Sequence, residues 1–184
     1  MKNKRIFWGI SVNKILTGKL NEFRYEFIQN QSQSSVNKWV KTENYHLTLL
    51  FIGPIPENKI HSICLKAEKL FYETSDFYLQ PKFFTTFPYR KPRMIWLEFI
   101  RSEAFEKLVM ELRKSVLITQ TSGKIIPHIT LTRFKHDSLT DRSWPIDPSL
   151  KLLCNKINLY ESELTPEGPI YTVIRSFDLS GYGK

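Results

Sequence analysis

Apolar residues along the chain alternate between strand-like and helix-like spacing. Arg5 to Val12 is rich in Ile, Phe, Trp and Val and predicts a strand. Over residues 14–30, Leu16, Leu20, Phe23 and Phe27 fall at steps of four, three and four, one face of a helix. A polar loop follows from Asn30 to Asn37, then a short strand from Lys38 to Lys41. Tyr45 to Ile52 predicts a strong strand, stopped by Gly53-Pro54. Pro56 is then expected to open a helix, where a missing N–H costs nothing, with Ile60, Ile63, Cys64, Ala67, Leu70 and Phe71 as its apolar face.

Residues 76–87 and 93–100 predict strands on either side of the turn Pro88 to Pro92. Ser102 is the expected N-cap of a helix whose face is Phe105, Leu108, Val109, Leu112 and Val116. Ile125 to Phe134 is a further strand and Lys135 to Ser149 a long polar loop. Strands near 150–163 and 168–179 close the chain around the turn Pro166-Glu167-Gly168-Pro169. Adjacent strands between helices argue for an α+β fold with mainly antiparallel sheets. The seven glycines form neither G-x-G-x-x-G nor a P-loop.

Composition narrows the class. With 184 residues, 41% hydrophobic and 24% charged, the chain has room for one compact domain or two small lobes, and disorder is excluded. Its two cysteines, Cys64 and Cys154, have no metal-site spacing and read as buried side chains in a reducing compartment. The apolar stretch after the first lysines ends at Asn13-Lys14 without a cleavage pattern, and no run reaches the roughly 18 apolar residues of a membrane span, so the cytoplasm is the expected location. A net charge of +9 favours polyanionic partners.

The histidines carry the chemical signal. His46-Leu47-Thr48-Leu49 and His128-Ile129-Thr130-Leu131 both read H-x-T-L inside predicted strands. With 13 Thr and 20 Leu in the chain, two of four histidines do this by accident roughly once in 3,000. Strand alternation sets His46 with Thr48, and His128 with Thr130, on one face each, backed by leucine or isoleucine. Two imidazoles without a carboxylate or cysteine alongside make a poor zinc site. They suit paired general acid and base work near neutral pH, as in-line displacement at phosphorus requires, with the threonine hydroxyls donating to non-bridging oxygens. Arg133 falls on the opposite face by alternation, and only a bulge or the strand's end brings it in. His61 reads as a solvated helix residue, and His136 lies at a loop entrance.

These motifs resemble the two-histidine (2H) phosphoesterase superfamily. Within it the chain is similar to the RNA 2′,3′-cyclic phosphodiesterases, historically called bacterial 2′-5′ RNA ligases (the LigT-like group). The resemblance covers nearly the whole chain. It includes Arg5-Ile6-Phe7-Trp8, Lys38-Trp39-Val40, His46 through Gly53, and Phe87-Pro88. It continues with Pro92-Arg93-Met94-Ile95-Trp96, Pro127 through Arg133, Leu159-Tyr160-Glu161-Ser162 and Gly168-Pro169-Ile170-Tyr171. It implies two pseudo-symmetric lobes, each an antiparallel sheet with helices on its outer face, flanking a central cleft within a single 1–184 domain. It further implies metal-independent, cofactor-free hydrolysis of a 2′,3′-cyclic phosphate at an RNA end to a 2′-phosphate. His46 would be proton donor to the leaving 3′-oxygen and His128 proton acceptor from water, with Thr48, Thr130 and Arg133 on the phosphate. Reverse 2′-5′ joining accounts for the ligase name. Trp39, Phe51 and Tyr171 are candidates to stack on a base, and Arg90, Lys91 and Arg93 to guide the strand. The expected protein is a monomer with RNA ends as its partner and no obligate protein partner. A different 2H activity, on 2′-5′ oligonucleotides or cyclic nucleotide-sugar phosphates, and a non-catalytic RNA-binding module are the alternatives.

Overall fold

In the computed structural model, which describes residues 2–30, 37–116, 125–134 and 142–181, the chain opens with β1 (Asn3–Ser11), α1 (Lys14–Gln29), β2 (Asn37–Trp39) and β3 (His46–Pro56). It continues through α2 (Ile60–Glu73), β4 (Phe77–Leu79), β5 (Pro81–Phe87), β6 (Met94–Phe99) and α3 (Glu103–Ser115). It ends with β7 (His128–Phe134), β8 (Ser143–Trp144), β9 (Leu152–Cys154), β10 (Lys156–Thr165) and β11 (Gly168–Asp178).

Helix α1 forms where its spacing predicted. Asn13 caps it by accepting the Leu16 N–H at 2.9 Å, and Leu16, Leu20, Phe23 and Phe27 are the buried face. Two starts differ from expectation. β3 does not stop at Gly53-Pro54, because β1 runs opposite it as far as the Asn3–Pro56 pair and Gly53, at φ +90°, accommodates a bulge there. Pro56 therefore closes the strand, and α2 begins at Ile60 after a 3-10 turn over Glu57–Lys59. Ser102 holds the N-cap position of α3 in an extended conformation, but its side chain makes no cap bond. Glu103 and Glu106 in the first turn and Arg113 and Lys114 in the last instead complement the helix dipole.

The expected strand 76–87 divides at Gln80. β4 pairs with β9 in a separate two-stranded sheet, while β5 pairs with β6 and β8. β8 itself is a short strand inside the expected loop, and His136 lies outside the described residues.

The main sheet runs β11-β10-β1-β3-β7-β6-β5-β8, with β2 also on β7, and every pairing is antiparallel. It has two halves, β11 to β3 and β7 to β8, that meet edge to edge where Leu47 pairs with Ile129. α2 and α3 pack on the first half, where Phe71 lies edge-on to Trp8 at 5.1 Å. α1 packs on the second, where Phe23 stacks on Phe84 at 3.9 Å. One buried cluster draws on both halves, with Ile6, Trp8 and Leu47 from one and Ile95, Leu97 and Ile129 from the other. The histidine strands are thus the two central strands of a rigidly backed sheet.

Candidate active site

The two motifs lie side by side and antiparallel. Carrying the Leu47–Ile129 register one residue each way sets His46 opposite Thr130 and Thr48 opposite His128. Leu47 and Ile129 are fully buried, so all four polar residues face away from the core together. The imidazoles form a diagonal pair, a relationship that separates the two residues by about 7–8 Å and their Cβ atoms by somewhat less.

Bulges then reverse the alternation beyond each threonine. On β7, Trp96 of β6 faces Thr130 but Ile95 faces Thr132, so Leu131 is the extra residue. On β3, Gly9 of β1 faces Thr48 but Trp8 faces Leu50, so Leu49 is the extra residue. A bulge turns the following side chains over. Arg133 is thereby moved to the cleft face, and Phe51, five residues after His46 as Arg133 is after His128, takes the equivalent place in the other half.

Both histidines are held in the same way. His46 Nδ1 is 2.7 Å from the Asn44 carbonyl and His128 Nδ1 is 2.7 Å from the Ile126 carbonyl. A carbonyl only accepts, so each Nδ1 carries its proton and donates it, and each Nε2 is left for the cleft. Phe7 packs on His46 at 4.8 Å and Tyr171 meets it edge-on at 5.0 Å, while Trp96 covers His128 at 4.2 Å. Asn44 is itself buried and donates to the Pro169 carbonyl at 2.8 Å, which ties the β10–β11 turn to the first motif.

Burial lowers the pKa of both histidines from the ordinary value near 6.5, because the charged form loses solvation. The carbonyl bonds partly offset this. Arg133 lowers both further, His128 lowers His46, and Glu98 raises His128. The cysteines take no part: both are buried, and burial pushes the Cys154 thiol up to about 12.

The cleft has a volume of about 750 Å³. Of the residues singled out in the sequence, His46, His128, Thr48, Thr130, Arg133, Trp39, Phe51 and Tyr171 line it together. Arg90, Lys91 and Arg93 do not line it. They are exposed on the β5–β6 connection, whose Arg93 carbonyl accepts the Phe134 N–H at 2.8 Å and so abuts the end of β7. Arg5, Lys38, Lys41 and Glu167 also line the cleft and were not singled out. Arg5 shares a strand face with Phe7, two residues on, but only the packing of the Phe7 ring on His46 ties that face to the site. Among the described residues no group of three or more His, Cys, Asp or Glu side chains is arranged to hold a metal ion.

Comparison with known proteins finds relatives of the whole chain. The family model described as LigT like Phosphoesterase matches residues 10–96. An RNA 2′,3′-cyclic phosphodiesterase of Thermotoga maritima is 33% identical over 96% of each chain. One of Aquifex aeolicus is 30% identical over 98% of this chain and 100% of its own. The crystal structure of the Thermus thermophilus protein TT0787 superposes with a TM-score of 0.82 at 26% identity, covering 96% of this chain and 98% of that one.

Proposed function

The chain belongs to the LigT-like phosphoesterases, and on that premise we propose that it is a hydrolase, an RNA 2′,3′-cyclic phosphodiesterase that opens a terminal cyclic phosphate to a 2′-phosphate. The observation that carries the reading is the pair of imidazoles, each anchored through Nδ1 and each presenting Nε2 to one cleft with Arg133.

A water oxygen attacks phosphorus and its proton passes to Nε2 of His128. The bond from phosphorus to the 3′-oxygen breaks on the opposite side, and Nε2 of His46 delivers the proton that oxygen takes up. Thr48 and Thr130 donate to the non-bridging oxygens, and Arg133 balances their negative charge. A positioned acid or base contributes about 10²–10⁴-fold each. The phosphate also favours protonation of the imidazoles, which opposes the effect of burial and supplies the one charged histidine the step requires. With a 5′-hydroxyl in place of water as the nucleophile, the same displacement of the 3′-oxygen yields a 2′-5′ linkage.

The same reading has the protein act as a monomer in the cytoplasm on RNA ends. Among the described residues no helix is long and apolar enough to cross a membrane. The test is turnover of a 2′,3′-cyclic mononucleotide, with the product identified by phosphorus NMR. A 2′-phosphate supports the proposal. A 3′-phosphate overturns the assignment of the leaving oxygen, and cleavage of 2′-5′ oligoadenylate with no action on the cyclic ester overturns the substrate class.

A further inference from the structure

The two halves of the cleft present positive charge differently. In the second half Arg133 comes directly from the bulged strand. In the first half the equivalent position is Phe51, and the guanidinium of Arg5 lies over its ring, 4.3 Å from the centroid. Arg5 arrives from the neighbouring strand β1, two residues before Phe7, whose ring packs on His46. Among the described residues no carboxylate forms a salt bridge with Arg5, whereas its neighbour Lys4 is held by Glu57 and Glu161.

We propose that Arg5, propped on Phe51, is the subsite for the phosphodiester that joins the terminal nucleotide to the rest of an RNA chain, and that it makes the enzyme prefer RNA ends to mononucleotides. This deepens the cyclic phosphodiesterase reading and rests on it. First, a guanidinium resting over an aromatic ring is held there without a carboxylate or carbonyl partner, so its N–H donors stay available for phosphate oxygens while the ring restricts where it sits. Second, place matters. Arg133 lies at the His46 end of the motif pair and Phe51 at the His128 end, because the strands are antiparallel about Leu47–Ile129. Three residues of β3, one of them in the bulge, carry Phe51 about 7–10 Å beyond Thr48. Arg133, at the same offset on β7, is close enough to lower the pKa of both histidines, whereas Arg5, held over the Phe51 ring, is not among the groups that shift either. That sets Arg5 further from the scissile phosphate, within one nucleotide's reach. Third, charge calls for it. Arg5, Lys38, Lys41 and Arg133 line the cleft against Glu167, more cation than one scissile phosphate uses.

The experiment compares kcat/KM for a 2′,3′-cyclic mononucleotide and for a dinucleotide ending in the same cyclic phosphate, in wild type, Arg5→Gln and Phe51→Leu. The expected result is a fall of about tenfold or more in the dinucleotide-to-mononucleotide ratio for Arg5→Gln. The salt dependence of dinucleotide kcat/KM should flatten by about 0.7 in log–log slope, the loss of one phosphate contact on a single strand. Phe51→Leu keeps the charge but removes its support, and should lower the ratio less while leaving the slope steep. An unchanged ratio in Arg5→Gln, with wild type active on both substrates, overturns the subsite and leaves the hydrolase reading standing. Wild type inactive on both overturns the hydrolase reading, and the subsite falls with it.

Discussion

Leu47 of β3 stands opposite Ile129 of β7, and the two H-x-T motifs are arranged about that pair as about a twofold axis. The contact lies in the core, yet it sets the spacing of the catalytic candidates on the other face. Each histidine then has the other motif's threonine as its direct neighbour.

Replacing either histidine should disable the reaction. His46→Ala and His128→Ala are each expected to lower turnover of a 2′,3′-cyclic mononucleotide by at least about 10²-fold. Folding should survive, since both side chains are only half-buried at the cleft wall. A variant that turns over at near wild-type rate would remove that histidine from the mechanism.

The pH profile should be a bell displaced to the acid side. The base limb requires neutral His128, so the rate falls as pH drops through its pKa. The acid limb requires protonated His46, so the rate falls as pH rises through its pKa. Burial holds both pKa values in the free enzyme below 6.5, so kcat/KM should peak below 6.5. Arg133→Gln removes a group that lowers both, and should move what activity remains towards neutral pH. A free-enzyme optimum above 6.5 would contradict this.

Arg133 and the β5–β6 turn should separate by substrate length. Arg133→Gln is expected to impair mononucleotide and longer RNA alike, because it stands at the scissile group. Arg90→Gln with Lys91→Gln should weaken only longer RNA and flatten its salt dependence, since those cations lie outside the cleft. Mononucleotide turnover undisturbed in Arg133→Gln would take it out of the phosphate site.

Activity should persist in a strong chelator. Each imidazole keeps only Nε2 available, its Nδ1 proton being committed to a carbonyl, and two nitrogens fall short of the three protein ligands usual for a catalytic zinc. Loss of activity in chelator, restored by a divalent ion, would refute the acid–base account.

Leu47→Ala should cost about 2–5 kcal/mol in urea unfolding, the scale for truncating a fully buried leucine. Because the pair joins the halves, the variant should also lose turnover beyond its unfolded fraction. Full specific activity in the folded variant would mean that the histidine spacing does not depend on this contact.

By itself the sequence determined the elements whose information is local. The apolar period of α1 named its four buried residues, and the repeated H-x-T-L placed each histidine and threonine on a common strand face. Strand alternation and helix periodicity are properties of neighbouring residues, so they survive without tertiary context. Tertiary pairing decided what depended on a partner strand. β3 runs through Gly53-Pro54 because β1 is there to meet it, and residues 76–87 break because β9 and β6 claim different parts. The bulges at Leu49 and Leu131 exist only relative to β1 and β6, yet they bring Arg133 to the cleft face and set Phe51 beneath Arg5. A bulge is a mismatch of count between two strands, and no single strand's sequence contains it.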